Sequence, residues 1–387
     1  MRLSKSIVGD EEARAVSRVL LEDGYLGMGK TTRDFENAIA SYLGVEPWQV
    51  ISVNSGTAAL HLACQAIAIE KEAEITAMTG RPEIIIPSLT FVASFQAALA
   101  AGFQPVACDV LLETGTIDLE DAKNRLTSNT LAIMPVDYAS NPWKLDEVYA
   151  FAREHGLGVV EDAAHAFGCR HHGKKIGSFG DLVCFSFDGI KNITCGEGGC
   201  IIAFRKESAE LCADGRLLGV AGDTAKRFAG ARSWDADVLH LGFRYHLSNI
   251  MAAIGLAQLE RLEREFIPAR HKFYNLYREL LADAPDIIFF RTDPDDYIVP
   301  HIMPLRIVNG KKKAVSSALE RAGIPTGLHY KPNHLLTLFG AGKPALPKVE
   351  KLYGELLTVP LHPGLSEADV RAVCEVIRSA IGERDGD

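Results

Sequence analysis

No run of apolar residues in this chain approaches the length a membrane-spanning helix needs. The longest, Ile84-Ile85-Ile86 and the alanine-rich stretch Ala97 to Ala101, are far too short. The opening Met1-Arg2-Leu3-Ser4-Lys5-Ser6 lacks the apolar core of a signal peptide, so a cytoplasmic location without membrane contact is expected. The eight cysteines lack CxxC spacing and mostly sit in apolar segments, which speaks for reduced core thiols and against a disulfide framework or zinc site. Basic charge is also short: 41 Lys+Arg face 50 Asp+Glu, a formal net charge of −9. A nucleic-acid partner, which needs a broadly basic field, is therefore not expected, although a few local donors suffice for a small anion. Three common site motifs are missing as well. No GxGxxG follows the first strand, no GxxxxGK[ST] occurs, and no histidine pair has HExxH spacing, which sets aside nicotinamide, ATP and catalytic zinc; no metal is expected.

What is present is the make-up of an ordinary folded protein, with 47% hydrophobic and 24% charged residues over 387 positions. That length fits one large domain and a smaller one. Helical spacing over Glu11 to Leu21 and Thr32 to Leu43 precedes an apolar strand, Val50 to Val53. Further apolar strands at 83–87, 105–110, 131–136 and 158–162 alternate with helical stretches. This alternation predicts an α/β fold with a mainly parallel, mixed sheet covered by helices on both faces. Leu182 to Phe187 and Gly199 to Phe204 read as a strand pair around a glycine-rich turn. From Ile250 to Leu281 a long helical pattern runs, interrupted by Pro268, followed by a strand over Pro300 to Ile307 and two more helices. The expected division is a large α/β domain over 1–249 and a smaller C-terminal α+β domain over 250–387, with a frayed tail over 382–387.

Three stretches carry chemistry. Asn54-Ser55-Gly56-Thr57 ends a strand and opens a helix, where small residues, hydroxyls and helix amides suit an anion; the same pattern also serves as a plain helix cap. Val159-Val160-Glu161-Asp162 ends an apolar strand in acid, where open α/β sheets bind ligands and a carboxylate can hold a protonated ring nitrogen; capping of the next helix is the alternative. In Phe185-Ser186-Phe187-Asp188-Gly189-Ile190-Lys191, a lysine lies between an apolar strand and a glycine-rich turn, a setting that lowers its pKa and favours the free amine. An anion cradle, an acid for a pyridinium and a desolvated lysine are together the parts of a pyridoxal 5'-phosphate site.

With these residues in view, the sequence resembles the DegT/DnrJ/EryC1/StrS family of nucleotide-sugar aminotransferases. The resemblance covers nearly the whole chain, through Gly24 to Gly29, Pro87 to Ser94, Val136 to Ala139, Glu161 to Ala164, the lysine block, Ala252 to Leu259 and Val359 to Gly364. It implies a fold-type-I (aspartate aminotransferase-like) enzyme. By the same resemblance Lys191 forms the internal aldimine and shuttles a proton, and Asp162 pairs with the pyridinium nitrogen. His165 lies near the phenolic oxygen, Phe91 stacks on the ring, and Gly56, Thr57 and Ser186 cradle the phosphate. His329 and Tyr330 match a segment lining the substrate site, with Lys331 and His334 as further candidates for the sugar nucleotide. Four positions depart from the family pattern, one of them His246, which stands where an arginine is usual. Asp188 and Asp137 stand where histidines are common, and Arg244 stands where an asparagine commonly reaches the partner subunit's cofactor phosphate. Arg244 would serve that phosphate as a charged donor, or else make an ordinary interface ion pair.

The activity implied is ping-pong transfer of an amino group from L-glutamate to a nucleotide-linked keto-deoxysugar. The turn after Lys191 favours C4 over C3, giving a 4-amino-4,6-dideoxysugar. A homodimer with shared active sites is implied, and family members of this kind serve O-antigen, lipopolysaccharide, capsule or antibiotic-sugar pathways. Two alternatives are a pyridoxamine-dependent dehydratase, whose relatives carry His at the lysine position, and a non-catalytic regulator. Lys191 argues against the first; Lys191, Asp162 and Ser186 together argue against the second.

Overall fold

The computed structural model describes residues 1–231, 235–340 and 344–382. The expected frayed tail, past Gly382, lies outside the described residues. Among the described residues twelve strands are present: β1 (Val50–Val53), β2 (Glu83–Pro87), β3 (Gln104–Cys108), β4 (Thr130–Ile133), β5 (Gly158–Asp162), β6 (Arg170–His171), β7 (Lys174–Lys175), β8 (Leu182–Ser186), β9 (Gly199–Ala203), β10 (Ile287–Phe289), β11 (Met303–Ile307) and β12 (Leu356–Val359). Seven of them form the main sheet, in the order β1-β9-β8-β5-β4-β2-β3. All its neighbours are parallel except where β9 runs against β8 and β1.

The strands are apolar throughout because both faces are covered. Side chains alternate between the faces along each strand. Ile84 and Ile86 join one core with the helix Gly56–Glu70, while Ile85 joins a second on the opposite face. Likewise Leu182 and Cys184 face the first core, and Val183 and Phe185 face a third with the helix Lys30–Leu43. The helix Gly56–Glu70 is buried almost all round, which its run of Ala, Leu and Cys allows.

The long C-terminal helical pattern breaks before its proline, not at it. One helix spans Asn249–Arg261, a wider turn covers Leu262–Phe266, and the next helix spans Ile267–Leu280. Pro268 cannot donate to a carbonyl one turn earlier. It therefore sits in the first turn of a new helix, where no such bond is needed, and the chain re-phases through the wide turn ahead of it. Beyond, β10, β11 and β12 make an antiparallel sheet with its own core. Among the described residues three α-helices follow β11 (Lys312–Arg321, Pro347–Glu355 and Glu367–Gly382), where two were expected. All eight cysteines are buried and unpaired, and among the described residues no helix is long and apolar enough to cross a membrane.

Candidate active site

The chain turns at the carboxyl ends of β1, β2, β4, β5 and β8 converge on one cavity of about 360 Å³. This is where an open α/β sheet leaves a crevice, because the helices that follow the strands diverge there. Nine of the expected residues line it: Gly56, Thr57, Phe91, Asp162, His165, Ser186, Lys191, His329 and Tyr330.

β1 delivers Ser55, whose hydroxyl oxygen accepts from the Ala58 amide at 3.1 Å and caps the helix Gly56–Glu70. The first amides of that helix have no acceptor within it and lie at its positive end. A Cβ on Gly56 would stand 2.7 Å from Ser186 Cβ, so only glycine lets the two strand ends close into a cradle. Both alternatives for this stretch hold: it caps a helix and lines the cavity.

β5 delivers Asp162, 5% exposed. Ser94 Oγ donates to its Oδ2 at 2.7 Å and the Ala164 amide to its Oδ1 at 3.2 Å, leaving each oxygen a further lone pair. Burial raises its pKa, against the pull of the Ser94 and Ala164 donors and the Lys191 charge. The loop after β8 delivers Lys191. Burial lowers its pKa to about 8, even though Asp162 and Asp188 favour the charged form. The amine is thus within reach of neutrality near physiological pH, as nucleophilic lysines require.

His165 is held neutral: burial, then the charges of Lys191 and His329, push its pKa well below the ordinary value. Its Nε2 lies 3.1 Å from the Tyr330 hydroxyl, and its buried Nδ1 has no partner among the described residues. Phe91, although large and apolar, is 56% exposed beside the Tyr330 ring, 5.6 Å between centroids. An aromatic face left uncovered at a cavity mouth is unusual unless something flat covers it. The cradle closed by Gly56, the spare carboxylate lone pairs, the unpartnered Nδ1, the open aromatic face and the near-neutral amine all suit pyridoxal phosphate, so the residues present fit that cofactor.

Three candidates lie outside this cavity. Arg244 and Lys331 are exposed and line no part of the cavity. His334 is buried, tied to Ser88 Oγ at 2.8 Å and to Glu350. That is a fold-holding position, set by an apolar segment packing its imidazole inward. Ser94, Glu197 and His301 were missed. Glu197 lines the cavity, and the His301 ring lies 4.5 Å from that of His165. For Ser94 a signal existed: it lies four residues after Thr90 at the start of a helix, and the two hydroxyls bond each other at 2.7 Å.

The model of the DegT/DnrJ/EryC1/StrS aminotransferase family matches residues 7–378. A dTDP-4-dehydro-2,3,6-trideoxy-D-glucose 4-aminotransferase of Saccharopolyspora spinosa is 33% identical over 389 residues, covering 98% of this chain and 97% of its own. Among solved structures, the aminotransferase TlmJ of Streptoalloteichus hindustanus aligns with a TM-score of 0.88 at 28% identity over 98% of each chain. Helicobacter pylori PseC, an aminotransferase involved in pseudoaminic acid biosynthesis, aligns with a TM-score of 0.88 at 25% identity, again over 98% of each chain. With a cavity whose lysine, carboxylate and anion cradle fit the cofactor, and a match along nearly its full length, the chain belongs to the DegT/DnrJ/EryC1/StrS aminotransferase family and is a pyridoxal 5'-phosphate-dependent sugar aminotransferase.

Proposed function

We propose that this enzyme moves the amino group of L-glutamate onto the C4 keto carbon of a nucleotide-linked keto-deoxysugar, in two half-reactions at one cavity. The observation that carries the reading is the Lys191 amine, lowered by burial to about 8, sharing a cavity with the Asp162 carboxylate. The 33% identity to a relative named for 4-amination of a dTDP-linked sugar supports C4.

Bound pyridoxal phosphate supplies an electrophilic carbon for the amino group and an electron-withdrawing ring. Lys191 Nζ takes the proton from the donor's α-carbon and returns one to the sugar carbon, a task suited to an amine near neutrality. The Asp162 carboxylate, fixed by Ser94 and Ala164, holds the proton on the ring nitrogen. The amides of Gly56 and Thr57 and the Ser186 hydroxyl bind the phosphate. His165 donates toward the phenolic oxygen, Phe91 covers the ring and excludes water, and His329 and Tyr330 meet the sugar. The working unit is a homodimer. Val238, Leu239 and Leu241 lie exposed just before Arg244, an apolar surface that a second copy would cover. Arg244 then reaches the phosphate in the partner's cavity, and the exposed Lys331 meets the nucleotide.

The test is to supply the cofactor-loaded enzyme with glutamate and a panel of 4-keto and 3-keto nucleotide sugars, and to analyse products by mass spectrometry and NMR. A C4-aminated sugar with one 2-oxoglutarate per turnover is expected. Amination at C3 instead, or no aminated sugar from any panel member, would overturn the reading.

A further inference from the structure

Outside the cofactor cavity, one cluster of side chains among the described residues has the geometry of a ligand set. β6 and β7 form a hairpin joined by His172 and Gly173, both at positive φ, 47° and 81°. This is the two-residue turn that the twist of a hairpin favours. It presents His171 and His172 side by side against Asp146, in the first turn of the helix Leu145–Glu154. We propose that Asp146, His171 and His172 bind a divalent transition-metal ion of the zinc class, away from the catalytic cavity.

Distance is the first support. His171 Nε2 and His172 Nδ1 lie 3.5 and 3.4 Å from Asp146 Oδ2, and the three ligand atoms all fall within 4.8 Å of one another. Those separations are long for hydrogen bonds. They match the edge of a tetrahedron about 3.4 Å on a side, which bonds of about 2.0–2.1 Å to nitrogen and oxygen produce.

The second support is independent of the cluster's shape. His171 is 2% exposed, and its Nε2 has no hydrogen-bond partner among the described residues. An unpaired buried imidazole nitrogen is costly unless something fills the place. Its other nitrogen, Nδ1, is 2.8 Å from Oδ1 of Asp296, whose side chain is fully buried. The carboxylate can only accept, so Nδ1 carries a proton and Nε2 is the nitrogen left to face Asp146 and a metal ion. A carboxylate behind an imidazole is the usual way a metal-binding histidine is fixed in tautomer and orientation. His172 repeats the pattern more loosely, with Nε2 3.8 Å from Asp293 Oδ2. The two rings stack at 4.0 Å, and His172, half exposed, can make the small rotation that convergence on one ion needs. Two imidazoles and one carboxylate suit zinc, cobalt or nickel better than magnesium or calcium, which prefer oxygen, and a fourth position is left to water. Lys144, two residues before Asp146, is paired with Glu147 at 2.9 Å, so its charge is partly met, and Lys174, opposite His171 in the hairpin, lies over the Phe179 ring, 5.9 Å from its centroid.

The experiment is equilibrium dialysis of the tag-free, cofactor-loaded full chain against zinc, with metal analysis of the protein and magnesium as competitor. One zinc ion per chain is expected, undisplaced by magnesium. Asp146→Asn and His172→Gln, both on exposed side chains, should each weaken zinc binding about tenfold or more while cofactor content and thermal stability without zinc stay unchanged. Asp296→Asn should weaken it too, through the loss of the carboxylate behind His171. Absence of retained zinc in the wild-type chain, or equal retention by the Asp146 and His172 variants, overturns the assignment.

Discussion

Lys191 shows how much one position can carry. Four influences act on its amine: burial and then the Arg270 charge disfavour the charged form, while Asp162 and Asp188 favour it, and the balance falls at about pH 8. Capture of the cofactor needs the free amine, so its rate in the apoprotein should rise with pH through a midpoint near 8. Replacing Asp188 with Asn removes one opposing charge and should move that midpoint down. Stopped-flow absorbance between pH 6.5 and 9.5, about one and a half units either side, measures both. A capture rate flat across that range would show that the lysine is not the titrating group. The lysine's place was legible, because an apolar strand and a glycine-rich turn bracket it in the sequence. The pairing that orients Asp162 was not: Ser94 is 68 residues away, and only the tertiary fold brings the two side chains together.

At the scale of an element, the carboxyl end of β5 splits its two acids between environments. Successive residues of a strand point to opposite faces, so Asp162 faces the cavity and Glu161 faces the other side of the sheet. There Glu161 accepts from the Tyr149 hydroxyl at 2.5 Å and pairs with Asp137, which is also fully buried. Asp137 Oδ2 and Glu161 Oε1 have no conventional donor among the described residues, and a single proton shared between the two carboxyl groups accounts for both. Burial lifts Glu161 from the ordinary 4.5 to about 7 and Asp137 well above its ordinary value. An acid with a raised pKa holds more protons folded than unfolded, so stability falls as pH rises from 4.5 toward 7. Asp137→Asn should therefore flatten that decline, with Tm at pH 8 rising relative to wild type and little change at pH 5. Calorimetry at the two values decides it; an equal shift at both would rule out the shared proton. The sequence placed Asp137 after the Pro-Val pair as a departure from the family pattern, but its partner Glu161 lies on a different strand and could not be named from pattern alone.

For the whole molecule, the open question is the second subunit. Arg244 lies outside the cavity of its own chain, and its proposed task exists only across a dimer. Arg244→Ala should lose about tenfold or more in cofactor affinity if a charge-assisted phosphate contact of about 1.5–3 kcal/mol is removed, with the dimer intact by light scattering. Mixing it with Lys191→Ala should rescue one site per hybrid dimer, since both defects then fall in the same cavity and leave the other intact. Unchanged affinity with an intact dimer would return Arg244 to an ordinary interface ion pair.

The sequence by itself determined the sheet, because uninterrupted apolar strands alternating with helices have few other ways to bury both faces. It also determined the cofactor chemistry, since each decisive residue sits at the end of a strand and is read from local pattern. The break in the long C-terminal helix, the inward turn of His334 and the pairing of Asp137 with Glu161 were decided only in three dimensions. The meeting of Asp146 with the histidine hairpin belongs with them. Each depends on groups far apart in the chain whose desolvation has no local signature. The shortage of basic charge, 41 against 50, argues against a polyanion binder without excluding phosphate, because helix amides and one close glycine can provide locally what bulk charge does not.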